Sequence, residues 1–256
     1  MAAPSPQKHL DFHDLPRALV MEARWPSGTS TGWHSHPRGQ LLYATEGVMV
    51  VHSEGGSWVV PPQRGLWLVA GLRHSVTMSG DVLMRTAFID AAQIKRLPPH
   101  SCVLHISPLL RELLVEAVRI PPQGRLTPRE RRLIALVVDE LRVSHTLPLH
   151  LPMPAEPRLQ PICDALMRHP ADRASAAEWA ARIGVGERTL QRLFAQGTGM
   201  RFSQWREQAR LLAALTAIAR GEKVIGVALD CGYASHSAFT AMFRRHFGVP
   251  PSAFYR

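Results

Sequence analysis

The C-terminal stretch 224–256, VIGVALDCGYASHSAFTAMFRRHFGVPPSAFYR, constrains the fold more than any other part of the chain. It reads as a short helix, a tight turn at Gly232-Tyr233, a second helix over about 235–246, and a stop at Gly248, Pro250 and Pro251. Two helices set at a steep angle by a few residues that include glycine make a helix-turn-helix. On the second helix Phe239, Met242 and Phe243 share an inward face. His236, Ser237, Thr240 and Ala241 share the outward one, with Arg244 and Arg245 following.

The same grammar occurs once more upstream. A leading helix over 159–167 ends before Pro170, and Ser175 with Glu178 forms a capping box that starts the next. Gly184-Val185-Gly186 is the turn, and the helix over 187–195 puts Leu190, Leu193 and Phe194 inward and Arg188, Gln191 and Arg192 outward. A helix over 202–220 joins the two units, about 27 Å long at ~1.5 Å per residue. A rod of that length can hold two recognition helices about one DNA turn, ~34 Å, apart. Arg188, Gln191, Arg192 and His236 are the residues expected at base edges, since Arg pairs with guanine and Gln with adenine. Arg201, Lys223, Arg244 and Arg245 are expected at phosphates. For any one of these taken singly, a solvated surface charge is the plainer alternative. Charge favours the nucleic-acid reading: residues 155–256 carry 14 Lys and Arg against 8 Asp and Glu, +6 of the chain's net +10.

The spacing Gly232-Tyr233-x-Ser235-x-Ser237-x-Phe239-x-x-x-Phe243, then Gly248-x-Pro250-Pro251-x-x-Phe254, resembles the signature of the AraC/XylS family of bacterial transcription regulators. Tyr255 stands between Phe254 and Arg256 where relatives go directly to Arg. The resemblance implies a DNA-binding domain of two helix-turn-helix units, double-stranded promoter DNA as partner, RNA polymerase as a further partner if the protein activates, and a bacterial cytoplasm. Three scattered cysteines, Cys102, Cys163 and Cys231, argue against a disulfide framework. No leader and no apolar run of about 18 residues is present, so no membrane role is expected.

The first third is β-rich. After an arm to about residue 15, strand-like pieces occupy 18–24, 41–44, 48–52, 58–60, 67–69, 75–78 and 83–89, with a hairpin turn at Glu54-Gly55-Gly56. Short strands at this spacing make a small sandwich or barrel. Gly28, His34-x-His36, Gln40 and Gly47, then Pro61-Pro62 and Gly71-x-x-His74, resemble the two motifs of the cupin family, a jelly-roll barrel. In metal-binding cupins the matching positions hold one divalent ion, which implies His34, His36, Gln40 and His74 as ligands, with Gln40 where the enzymes have Glu. Two histidines two apart on a strand face the same way, and three imidazoles can close on Zn, Ni or Fe. The other reading makes them pocket wall. Trp33, Arg38, Gln40, Tyr43, Arg64 and Trp67 are the expected effector contacts, because pockets combine apolar surface with a few directed polar groups; core tryptophans are the counter-reading.

Between the two lie amphipathic helices, one opened by Pro108 and one capped by Thr127-Pro128-Arg129-Glu130, and a proline-rich linker over 147–157. The helices either form a homodimer interface or cover their own sheet. The expected organisation is therefore α+β: a cupin-like sensor over 1–100, a helical linker over 101–157, and an all-α tandem helix-turn-helix domain over 158–256. The expected function is a sequence-specific transcription regulator controlled by a small ligand or metal. The alternative is a metal-dependent cupin enzyme with a regulatory DNA-binding tail.

Overall fold

In a computed structural model, the structure describes residues 18–90, 97–122, 125–147 and 149–254. The expected N-terminal arm and Tyr255 with Arg256 lie outside the described residues. Two compact units form: the described residues up to Ser53 with Val60–Leu149, and Glu54–Val59 with His150 onward.

The strands are β1 (Ala18–Trp25), β2 (Gly39–Ala44), β3 (Val48–Ser53), β4 (Gly56–Val60), β5 (Arg64–Leu68), β6 (His74–Ser79), β7 (Val82–Ile89), β8 (Cys102–His105), β9 (Thr146–Leu147) and β10 (His150–Pro152). In the first unit a six-stranded sheet runs β1-β7-β2-β5-β8-β9, and β3 pairs antiparallel with β6 from Val48 opposite Ser79 to Ser53 opposite His74. Helices α1 (Pro108–Ala117) and α2 (Pro128–Val143) lie on one face of the six-stranded sheet. That face contributes Val20, Leu41, Tyr43, Trp67 and Ile89 to a core completed by Leu110, Leu114, Val137 and Leu141. Burying each such aliphatic side chain contributes about 1.5–3 kcal/mol. Side chains alternate along a strand, so Gln40, Leu42, Thr86 and Phe88 point to the opposite face, into the barrel.

Residues 102–149 thus belong to the first unit rather than to a separate linker. β8 and β9 extend its sheet, and the two helices bury their apolar stripes on it. The Ser107 hydroxyl caps α1 by accepting from the Leu110 N–H and donates to Glu140 at 2.7 Å, tying α1 to α2. The Thr127–Glu130 capping box forms as its sequence predicts.

In the second unit β10 pairs with β4, His150 opposite Trp58 and Pro152 opposite Gly56. This corrects the expected linker: Pro152 is accommodated because β10 is an edge strand, where a missing N–H costs nothing. The Trp205 indole N–H donates to the Pro152 carbonyl at 2.7 Å and the Gln208 amide to the His150 carbonyl at 3.3 Å. The helices are α3 (Gln160–Arg168), α4 (Ala176–Arg182), α5 (Glu187–Thr198), α6 (Phe202–Ala219), α7 (Val224–Asp230) and α8 (His236–Phe247). α6 is the axis of this unit, burying Phe202, Trp205, Leu211, Leu212 and Leu215. Among the described residues no helix is long and apolar enough to cross a membrane. The three cysteines are free and buried; burial pushes the Cys163 thiol up to about 12 and those of Cys102 and Cys231 to about 11.

Candidate nucleic-acid interface and barrel site

Two helix-turn-helix units stand on α6. In the first, the Ser175 hydroxyl and Glu178 carboxylate form the expected capping box of α4. Gly184 takes φ +70° to turn the chain, and the Val185 N–H donates back to the Ala180 carbonyl. In the second, Gly232 takes φ +78° and the Tyr233 N–H donates back to the Ala228 carbonyl. The two turns are the same local solution. They differ in what surrounds them: a Cβ at Gly184 would meet open space, whereas one at Gly232 would lie 2.9 Å from Ala171 Cα and 3.0 Å from the Arg210 guanidinium. Arg210, on α6, donates to the Pro170 carbonyl at 2.7 Å and the Asp172 carbonyl at 2.8 Å. It therefore holds the loop before the first unit beside the turn of the second.

On α5 the exposed face is Arg188, Arg192, Ala195 and Gln196. Arg192 donates to Gln196 at 3.1 Å. Gln196 escaped the sequence reading, although its spacing of four from Arg192 places it on the same face. Gln191 is half-buried, and its amide oxygen accepts from the Phe202 N–H at 3.2 Å. It is thus engaged in capping α6, a correction to its expected place among the outward residues. The cause is a contact across eleven residues that helix periodicity cannot register.

On α8, His236, Ser237, Ala238, Ala241 and Arg244 are exposed. Ala238 is thus a surface residue. Thr240 is half-buried with its hydroxyl shut from solvent, so it does not belong to the outward face. Arg245 is bound to Glu207 of α6 at 2.8 Å, which partly neutralises an expected phosphate contact. The inward Phe243 stacks edge-on with both Phe239 and Phe254, and Phe247 packs on the same cluster.

The barrel site is built on one bridge: His34 and His74 exchange backbone hydrogen bonds, and their rings lie 4.4 Å apart. His36 follows in an irregular segment rather than a strand, yet its ring comes within 5.3 Å of that of His74. Each imidazole is oriented by its own Nδ1, which donates to a carbonyl: His34 to Gly32, His36 to Arg38, His74 to Leu72. A neutral ring so tied presents a bare Nε2 lone pair. The Nε2 atoms of His34 and His74 are buried without a hydrogen-bond partner. Burial holds His36 below its ordinary value and pushes His74 down to about 4, keeping both uncharged at neutral pH. The ligand atoms of the three all lie within 4.8 Å of one another.

Gln40, fully buried, places Oε1 2.8 Å from His36 Nε2 while its NH₂ donates to the Thr86 hydroxyl at 2.9 Å. As a hydrogen bond this contact takes a proton from His36 Nε2 or from the amide turned to present its NH₂, and a metal ion held by both groups would replace it. Donors at right angles on one ion with bonds of about 2.1 Å lie about 3.0 Å apart. The residues fit a divalent ion, which three imidazoles and Gln40 would hold. As a bound Lewis acid it would supply an open coordination position.

The six expected effector residues do not converge. Arg38 and Gln40 stay with the histidines; burial lowers the pKa of Arg38, against the opposing charge of Asp90. Tyr43 and Trp67 lie on the opposite face, in the core under α1 and α2, where the Trp67 indole donates to the Pro98 carbonyl. Trp33 is 48% exposed beneath the Arg73 guanidinium. Arg64 is half-buried at the start of β5 and donates to the Gln63 carbonyl.

Comparison with known proteins matches residues 25–147 to an AraC-like ligand binding domain and residues 179–256 to a helix-turn-helix domain. The chain is 34% identical to the HTH-type transcriptional regulator NimR of Escherichia coli over 249 residues, 97% of this chain and 89% of that protein. It is 40% identical to the HTH-type transcriptional regulator RipA of Corynebacterium glutamicum over 103 residues, 40% of this chain and 31% of that one. Among solved structures it is similar to ToxT from Vibrio cholerae, with a TM-score of 0.39 at 12% identity over 94% of this chain and 98% of that chain.

Proposed function

Since the chain belongs to the AraC/XylS family of transcription regulators, we propose that it reads its promoter chiefly through α5 and is controlled at the histidine site of its barrel. The observation that carries this reading is the pair of helix-turn-helix units fixed on one 18-residue helix, each presenting an exposed recognition face. Arg188, Arg192 and Gln196 take base edges. His236 and Ser237 make shorter contacts, and Arg244, Arg201 and Lys223 meet phosphates. Thr240 and Gln191 support the fold of the interface, and Arg245 shares its charge with Glu207.

In the barrel, His34, His36 and His74 with Gln40 hold a divalent ion, alone or as part of a small-molecule site. Control through a ligand domain and named regulators as relatives leave no support for the cupin-enzyme alternative. The protein works in the cytoplasm. It forms a homodimer through the outer sides of α1 and α2, where Leu109, Leu136 and Val143 stay exposed after the helices have covered their own sheet. When bound beside a promoter it recruits or blocks RNA polymerase.

The test is a mobility shift of the DNA upstream of its own gene, with and without added divalent metal. Salt-sensitive, sequence-specific retention supports the reading. Equal affinity for scrambled DNA at every salt concentration overturns it.

A further inference from the structure

We infer that the barrel site takes a small carboxylate anion as a ligand of its metal ion, so that metal and anion together are the effector. This rests on the reading of His34, His36 and His74 as metal ligands. Every donor the site offers is neutral: three imidazoles, whose N–H groups are spent on the Gly32, Arg38 and Leu72 carbonyls, and the amide of Gln40. Among the described residues no Asp, Glu or Cys joins the cluster. A dication held there keeps its full double charge, and His74 and Gln40 are wholly buried. An uncompensated charge out of water is costly unless paired. With Glu in place of Gln40 the protein itself would supply one negative charge; Gln40 withholds it.

The missing charge must therefore come from outside. A carboxylate suits the position best, being a hard oxygen donor of charge −1 that can replace a metal-bound water. Binding is a ligand exchange: water leaves as the carboxylate oxygen enters, and neither proton nor electron moves. Because metal and anion neutralise each other in the same buried space, each tightens the other by the same factor.

The full-length protein is titrated with Co²⁺ in a buffer without coordinating anions, reading the visible d–d absorption, and then again in the presence of acetate or of azide. The expected result is a site for one Co²⁺ whose affinity rises at least tenfold with acetate, with a changed spectrum. Gln40→Glu should bind Co²⁺ more tightly than wild type without acetate and lose most of the acetate effect. His74→Ala should take up no Co²⁺ at the site, with thermal melting of the apoprotein checking that it is folded. Failure of the wild-type protein to bind Co²⁺ overturns the metal reading on which the inference stands. Co²⁺ bound with an affinity that acetate and azide leave unchanged overturns the anion and leaves the metal. A response to azide with none to acetate overturns the carboxylate class. Acetate coupling in Gln40→Glu equal to wild type overturns the charge argument.

Discussion

The two helix-turn-helix units share a backbone and differ in what they present. Both turn on a glycine at positive φ followed by the same backbone return bond. The first shows long polar side chains, Arg188, Arg192 and Gln196, along one line of α5. The second shows His236, Ser237 and the methyl groups of Ala238 and Ala241, then Arg244. Long side chains with paired donors and acceptors can discriminate base edges, and methyl groups cannot hydrogen-bond them. The second unit is also the more constrained, its turn pressed against Ala171 and Arg210 and its Arg245 held by Glu207. On the function proposed above, one backbone serves two tasks, discrimination in the first unit and anchoring in the second.

The largest effect that tests this division is expected from Arg188→Ala with Arg192→Ala. Each lost base contact costs about 1–3 kcal/mol, so specific affinity should fall about a hundredfold while binding to unrelated DNA falls far less. A uniform loss across sequences would erase the distinction between the units. Arg210→Ala removes two charge-assisted bonds to the Pro170 and Asp172 carbonyls. At about 1.5 kcal/mol or more each, less what solvent screens at a half-buried site, it should destabilise the second unit by about 2 kcal/mol in denaturant melts. It should also let the protein accept operators with one base pair inserted between the two contact regions, which wild type should refuse. Arg244→Ala should weaken all sequences alike by a few-fold and lower the salt slope of binding by about one; a sequence-dependent loss would make α8 a reader. Gln191→Ala leaves the Phe202 N–H without its acceptor and should cost about 1 kcal/mol of stability, with the smallest effect of the four on operator binding. Loss of operator affinity beyond that would return Gln191 to the base-reading set.

The sequence makes most of the helical unit legible, because its signals are local. Ser175 with Glu178 and the turn glycines Gly184 and Gly232 each act within about one helical turn of themselves. The placement of Gln191 was not legible, since its partner is eleven residues away in the next helix. The barrel hides more. β2 is buried along its whole length, so its hydrophobicity does not alternate, and nothing in GQLLYA says which face Tyr43 takes. Whether Trp67 lines a pocket or a core turns on the same missing alternation, and the structure places it in the core. The histidine motif was legible as a set of residues. Its chemistry required coordinates, because only the three Nδ1 bonds show which nitrogens remain to bind.

The pairing of β10 with β4, and the bonds from Trp205 and Gln208 to β10, have a practical consequence for anyone wishing to cut this protein in two. A fragment beginning at residue 158, where the composition invites a cut, discards the carbonyls that satisfy a buried indole and a buried amide on the central helix. Such a fragment starts with the Trp205 indole N–H deprived of its acceptor and the tryptophan bared, and is expected to be insoluble or loosely folded. Beginning before His150 keeps the acceptors but still leaves behind 54–59, which reach the same unit from a hundred residues earlier in the chain. The natural seams of this molecule are three peptide crossings, not one, and limited proteolysis at any single seam should nick the protein without parting it.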